Sequence, residues 1–271
     1  MDKPAEPAPQ LRINVNFNNL RAKLGNSIDR YARLVSIGFQ GVQQPIKEEL
    51  RLPGTGWAVF FSGAAPWSED EARKNYNDWL FATGLRDALE AFGAFLDECY
   101  DIASCIRLIR KHKEYGQILG QDVFDHETDT QKYRRLGIDK KLKKLEPWFG
   151  TLTVDQQENI RSINRARNIL AHHEGCVPES YVAGNGMFRI AWMRLTLTAM
   201  GPEPREVVVG ERLKAGEGLG LLAVAEYRDF NKGERLYLRP TEFSGVCWTI
   251  FMAGDAIREA LEKDWASCSN Q

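Results

Sequence analysis

The chain has 271 residues, 43% of them hydrophobic and 27% charged, with a formal net charge of −1. Such a composition excludes a disordered or fibrous protein, and a near-zero charge excludes an overall basic nucleic-acid binder, leaving that role to a local patch. Five cysteines without paired short spacings exclude a zinc ribbon and a disulfide framework. The opening MDKPAEPAPQ has no apolar segment of a signal peptide, and no apolar run reaches the roughly 18 residues that span a bilayer. A reduced, cytoplasmic protein with no membrane partner is expected.

In chain order, residues 1–16 begin with a Pro/Ala/Glu-rich stretch and are expected to be disordered. From Phe17 to about Gly38, the residues Leu20, Leu24, Ile28, Tyr31, Leu34 and Val35 follow helical spacing. Residues 53–66 form a glycine-rich connection whose Gly-x-Gly lacks the Lys-Ser or Lys-Thr of a phosphate-cradling loop. Ser68-Glu69-Asp70-Glu71 is a capping box that opens a long helix. Its residues Leu85, Leu89, Phe92, Leu96, Cys99, Ala103 and Ile106 alternate spacings of four and three, the pattern of one continuous apolar seam. Cys99 and Cys105 lie in this pattern as buried free thiols. A polar segment over 111–131, with His112 and His126, precedes the basic run Lys132, Arg134, Arg135, Lys140, Lys141, Lys143 and Lys144. That run fits a solvated helix face and a phosphate-steering surface equally well.

Thr153 starts the next helix with a second capping box, completed by Gln156, and Gly175 is placed to end it in the left-handed conformation. The period then changes. Short strands are expected over 188–198, 206–209, 219–227 and 234–238, before a last helix from about Glu242 to Lys263 carrying Phe243, Val246, Ile250, Ile257 and Leu261 on one side. The expected organisation is a helical core over 17–178, a β-rich insertion over 179–239 and a closing helix over 240–271.

The chemistry concentrates in residues 161–175, RSINRARNILAHHEG, which place two of the four histidines beside three arginines. Imidazole exchanges protons near neutral pH, and guanidinium grips phosphate with two parallel hydrogen bonds. At about 100° per residue, Arg161, Arg165, Asn168 and His172 share one polar stripe, whereas Ile160, Ile163, Leu170 and Ala171 form the apolar face. Arg167 falls inside that apolar arc, where its charge needs a carboxylate, backbone carbonyls or a bound phosphate. Spacing alone is not specific, because Arg107 and His112 in the long helix have it too. A histidine in a last helical turn is also favoured by the helix dipole alone. No set of metal-ligating residues accompanies the stretch.

The segment RNILAHHEG resembles the Arg-x4-6-His motif of the HEPN superfamily (higher eukaryotes and prokaryotes nucleotide-binding domain). Gly137-Ile138 with its basic run, and Glu234-Arg235-Leu236-Tyr237-Leu238 leading into a closing helix, are also similar to bacterial members. The resemblance covers roughly 68–175 and 240–265. It implies a mainly α fold, a HEPN-like antiparallel helical bundle, in which the small β-rich segment between the motif helix and the last helix is an insertion. It further implies a metal-independent endoribonuclease, a toxin or phage-defence effector, that cleaves RNA by attack of the ribose 2′-hydroxyl and needs no cofactor. Carried over by position, Arg167 would hold the phosphate, Asn168 steady the site and His172 assist proton transfer, with His173 in reserve. Arg161, Arg165, Lys140, Lys141 and Lys144 are the expected RNA or phosphate contacts. A homodimer is expected, with an antitoxin or other regulatory protein as a further partner. The alternatives are a catalytically silent module of the same kind, binding nucleotide, RNA or protein, and a helical interaction protein whose Arg/His helix is only structural.

Overall fold

The computed structural model describes residues 15–41, 68–115, 120–149, 152–184, 186–208 and 210–269. Expectations for the N-terminal stretch before residue 15 and for the glycine-rich connection at 53–66 lie outside these. The described chain is mainly helical. It runs through α1 (Phe17–Gly41), α2 (Glu69–Tyr115), α3 (Gly120–Arg134), α4 (Ile138–Phe149), α5 (Val154–His172), the strands β1 (Met187–Met200), β2 (Arg205–Glu206) and β3 (Gly218–Asn231), and α6 (Pro240–Ser269).

The start of α2 follows from its capping box: Glu71 Oε2 accepts from the Ser68 amide at 2.9 Å, and Ser68 Oγ accepts from the Glu71 amide. All seven residues of its predicted seam are buried. They pack against α1 and α6, and the three helices approach so closely that side chains are missing where they meet. A Cβ on Gly38 would lie 2.4 Å from Leu80, one on Gly84 2.3 Å from Val35, and one on Gly254 2.2 Å from Leu24. In α1 the core position falls to Val35, and Leu34 points outward, 51% exposed. On α6 the five predicted apolar residues are all buried. Cys99 is buried, which pushes its thiol up, but Cys105 is only half-buried.

The sheet has the order β2-β1-β3, antiparallel throughout. β1 and β3 pair without a bulge, from Met187 opposite Asn231 to Met200 opposite Gly218. β2 covers only Thr198 and Ala199 of β1. Side chains alternate across a strand, so Phe188, Ile190 and Trp192 share the helix-facing side and enter the same core as α2, α5 and α6. Trp192 sits where Gly245 of α6 lacks a side chain, 2.3 Å from a Cβ placed there.

The backbone of β1 beyond β2 has no strand partner on that side, and the flanking helices provide one. The Ala191 amide donates to Ser162 Oγ of α5 at 3.1 Å, and the Met193 amide to Thr249 Oγ1 of α6 at 2.7 Å. Thr249 is buried and passes its own proton to the Gly245 carbonyl at 2.9 Å.

Two strand expectations need correction. Of the strand expected at 206–209 only Glu206 lies in a strand, the short β2, with Val207 and Val208 outside it and residue 209 outside the described residues. Residues 234–238 form no strand. Their alternation is real, since Leu236 and Leu238 are buried, but the backbone finds only the three residues after α5 to pair with. Arg235 bridges Cys176; the Leu236 amide donates to the Gly175 carbonyl at 2.8 Å and the Val177 amide to Glu234 at 2.9 Å.

Replacing Thr249 by valine keeps its shape and leaves the Met193 amide without an acceptor. A loss of about 1–3 kcal/mol is expected, read as a lower urea midpoint, with Thr249→Ser retaining most of the stability.

Candidate functional site

Helix α5 is fixed at both ends by local chemistry. Thr153 Oγ1 accepts from the Gln156 amide at 3.2 Å, and Gln156 Oε1 from the Thr153 amide at 3.0 Å. At the other end, the His173 and Gly175 amides converge on the Ile169 carbonyl. Gly175 takes φ 76° as expected, and Glu174 before it takes φ 52°, left-handed despite its side chain. Between these ends α5 packs on β1, α6 and α2.

The buried face of α5 is Asn159, Ile160, Ile163, Ala166 and Ile169. It is rotated from the expected one: Ala171 is exposed and Leu170 half-buried. The sheet, packed on a side that helical periodicity alone does not identify, pulls Ala166 and Ile169 inward. Arg167 consequently lies at the margin of the buried face.

Arg167 is half-buried and donates from Nη1 to Asn168 Oδ1 at 3.2 Å. No carboxylate among the described residues pairs with it. Among the described residues, the other arginines without a carboxylate partner (Arg30, Arg135, Arg165, Arg212 and Arg239) are exposed, and Arg167 alone is withdrawn from solvent. The similarly spaced pair Arg107 and His112 differs on this point, because Arg107 lies 3.7 Å from Asp129. His172, in the last turn, is exposed and has no polar side-chain partner among the described residues. Arg167 and His172 are separated by roughly 140° of helical rotation, so one helix does not present both to one small group.

The segment from Glu179 to Phe188 supplies contacts that sequence reasoning missed. The ring of His173 meets the edge of Tyr181 at 5.7 Å between centroids. Arg165 lies over both Tyr181, at 5.4 Å, and Phe188, at 5.5 Å, and donates to the Tyr181 carbonyl at 2.8 Å. Tyr181 belongs to a short 3-10 turn, Glu179–Tyr181, and no local sequence signal ties it to α5. Arg165 is therefore anchored, though exposed, and Arg161 is paired with Glu158 at 2.5 Å.

The basic run divides between surface and interior. Asp139 at the start of α4 accepts from Asn164 Nδ2 of α5 at 3.4 Å, which brings the neighbouring exposed Lys140 toward the motif helix. Lys144 is exposed, 3.8 Å from Asp129. Lys141 does not belong to a phosphate-facing surface. Its side chain is 7% exposed, ion-paired with Asp97 at 2.7 Å and bonded to the Gly93 carbonyl at 3.3 Å. An amphipathic α4 has to turn one of its lysines inward, and Asp97 on α2 receives it. Nearby, the Tyr100 hydroxyl donates to Asp129; burial and this bond push the phenol up to about 12, and the bond holds the carboxyl below its usual range.

A cleft of about 370 Å³ between α2 and α3, lined by Arg107, Lys111, Asp122, Asp125, His126 and Asp129, holds no residue of α5. Among the described residues, no group of three or more His, Cys, Asp or Glu is placed to hold a metal ion, and no helix is long and apolar enough to cross a membrane. No family model matches the chain, and no curated protein or solved structure matches it.

Because Lys141 is buried and neutralises the partly buried carboxylate of Asp97, Lys141→Ala should cost about 2–3 kcal/mol of stability. A urea titration reads that loss. Lys140→Ala should leave the unfolding midpoint in place.

Proposed function

We propose that the chain is an endoribonuclease of the HEPN type, acting on RNA as a homodimer without a metal. The observation that carries this is the unpaired guanidinium of Arg167, half-buried beside Asn168 and on the same helix as a free imidazole. A charge drawn partly out of water without a counter-charge is destabilising, and a phosphate anion is the ligand whose shape and charge satisfy it.

The attacking group of this reaction is the ribose 2′-hydroxyl, already next to the scissile phosphorus. The protein has to move protons and stabilise the charge that grows on the phosphoryl oxygens. His172 takes the hydroxyl proton as the 2′-oxygen bonds to phosphorus. The P–O5′ bond breaks, leaving a 2′,3′-cyclic phosphate, and the departing 5′-oxygen takes a proton from water, while Arg167 grips the phosphoryl oxygens and Asn168 holds the guanidinium in place. The rotation between Arg167 and His172 makes one copy incomplete. Two motif helices across a two-fold axis bring each Arg167 toward the partner's His172 and double the positive field over the RNA.

A purely structural helix is supported by one observation, the placement of His172 in the last turn, where the dipole stabilises a cation in any protein.

Under the ribonuclease mechanism, cleavage persists in excess EDTA and stops on a substrate lacking 2′-hydroxyls. His172→Ala lowers kcat by about 10²–10⁴-fold with RNA affinity nearly unchanged, and Arg167→Ala weakens both. Mixing the two inactive proteins under subunit exchange restores part of the activity. Metal-restored cleavage after chelation rules out the mechanism, and full activity of both single variants leaves the helix a structural element.

A further inference from the structure

Over its first half, residues 218–225, the free edge of β3 lacks the devices by which sheet edges are normally kept apart. Such edges carry charges, prolines, bulges or a covering element. β3 has 14 residues in unbroken register with β1, and residues 219–225, LGLLAVA, contain no charge and no proline. Among the described residues no element covers it. Leu221 is 69% exposed and Leu222 47%, so this uncharged stretch is open on both faces as well as along its edge.

From this we infer that β3 is a self-association surface, pairing antiparallel with β3 of a second copy about a two-fold axis through Leu222. Backbone parity permits it. The Ala191 and Met193 amides of β1 point away from β3, so the odd-numbered residues of β1 face that way and the even-numbered ones bond to β3. The odd-numbered residues of β3 then present free amides and carbonyls at the open edge. With Leu222 on the axis, Leu221 bonds to Ala223 of the second copy and Leu219 to Ala225, a regular antiparallel ladder.

Residue sizes and charges single out this register. Leu219 faces Ala225, Gly220 faces Val224 and Leu221 faces Ala223, a large residue against a small one each time. Only Leu222 meets itself. Moving the axis to Ala223 sets Glu226 against Gly220, and moving it to Leu221 sets Glu217 against Ala225. In the register through Leu222 both glutamates fall outside the uncharged window, and each is already neutralised, Glu226 by Arg194 and Glu217 by Arg205. That self-complementarity favours a second copy over a foreign strand. The product is a continuous six-stranded sheet, and because α5 lies along the opposite edge of β1, its motif face stays uncovered.

The test is oxidative cross-linking of the full chain in a Cys176→Ser background, which removes the exposed native thiol. Directly opposed residues at a non-bonded antiparallel position have Cα atoms about 4.5 Å apart, within disulfide range. Leu222→Cys should therefore give a covalent dimer. Leu219→Cys should give no covalent dimer, since its two copies lie about 20 Å apart along the strands. Leu222→Lys should halve the sedimenting mass with the helical circular dichroism unchanged. No cross-link at Leu222, equal cross-linking at both positions, or an unchanged mass on Leu222→Lys overturns the inference. RNA cleavage is not among the readouts, so the outcome is separable from that of the proposed ribonuclease.

Discussion

A strand paired along only one side carries a row of backbone amides and carbonyls that water or protein has to satisfy. Up to the short stretch that β2 covers, β1 is such a strand, pressed by its helix-facing residues into a core where water is scarce. Two hydroxyls, Ser162 on α5 and Thr249 on α6, meet its amides on that side. Each hydroxyl fixes the height of its helix against the strand to within a hydrogen bond, and Trp192 over Gly245 fixes the depth. The position of the motif helix relative to everything else follows from these contacts. Sliding α5 along β1 would break the Ser162 bond before it disturbed any apolar contact seriously.

Arg167 takes its character from that placement. On an isolated amphipathic helix it would sit in the apolar stripe. Docked on β1, the helix turns so that Arg167 reaches the rim of the buried face, where it is partly desolvated but still approachable. A side-chain amide stabilises a guanidinium geometrically and adds no counter-charge. The other partly or fully buried arginines among the described residues, including Arg194, Arg205 and Arg258, have carboxylates. Among the described residues Arg167 is thus the half-buried arginine left without a counter-charge.

Much of the fold was legible because it is written locally. Both capping boxes, the left-handed Gly175 and the seam from Leu85 to Ile106 depend on residues within one or two turns of each other. What failed depends on distant partners. Residues 234–238 alternate like a strand, yet their neighbour is only the short exit of α5. Lys141 sits in a basic run indistinguishable from a solvated face until Asp97, on another helix, is brought beside it. The buried face of α5 was misjudged by the width of the stripe, because the sheet, distant in sequence, supplies one of its walls. Tyr181 and Phe188, which hold Arg165, left no trace in the pattern for the same reason. Of the candidate site, the residue types and their helix were legible; which charge lacks a partner was not.

The short ladder joining the exit of α5 to the approach to α6 has an implication for how this protein tolerates change. With Val177 bonded to both Gly233 and Glu234, and Leu236 to Gly175, the sheet is an excursion that leaves and returns at one point. It is closed at its neck like the stem of a loop. The entropy of closing the rest grows only slowly with its length, and the strain of a longer or shorter tip stops at the neck. Residues 201–217, which connect the strands at the far end, are thereby decoupled from the helical body. Natural or engineered length variation should accumulate there, while the spacing between Gly175 and Val177, or between Gly233 and Leu236, admits none.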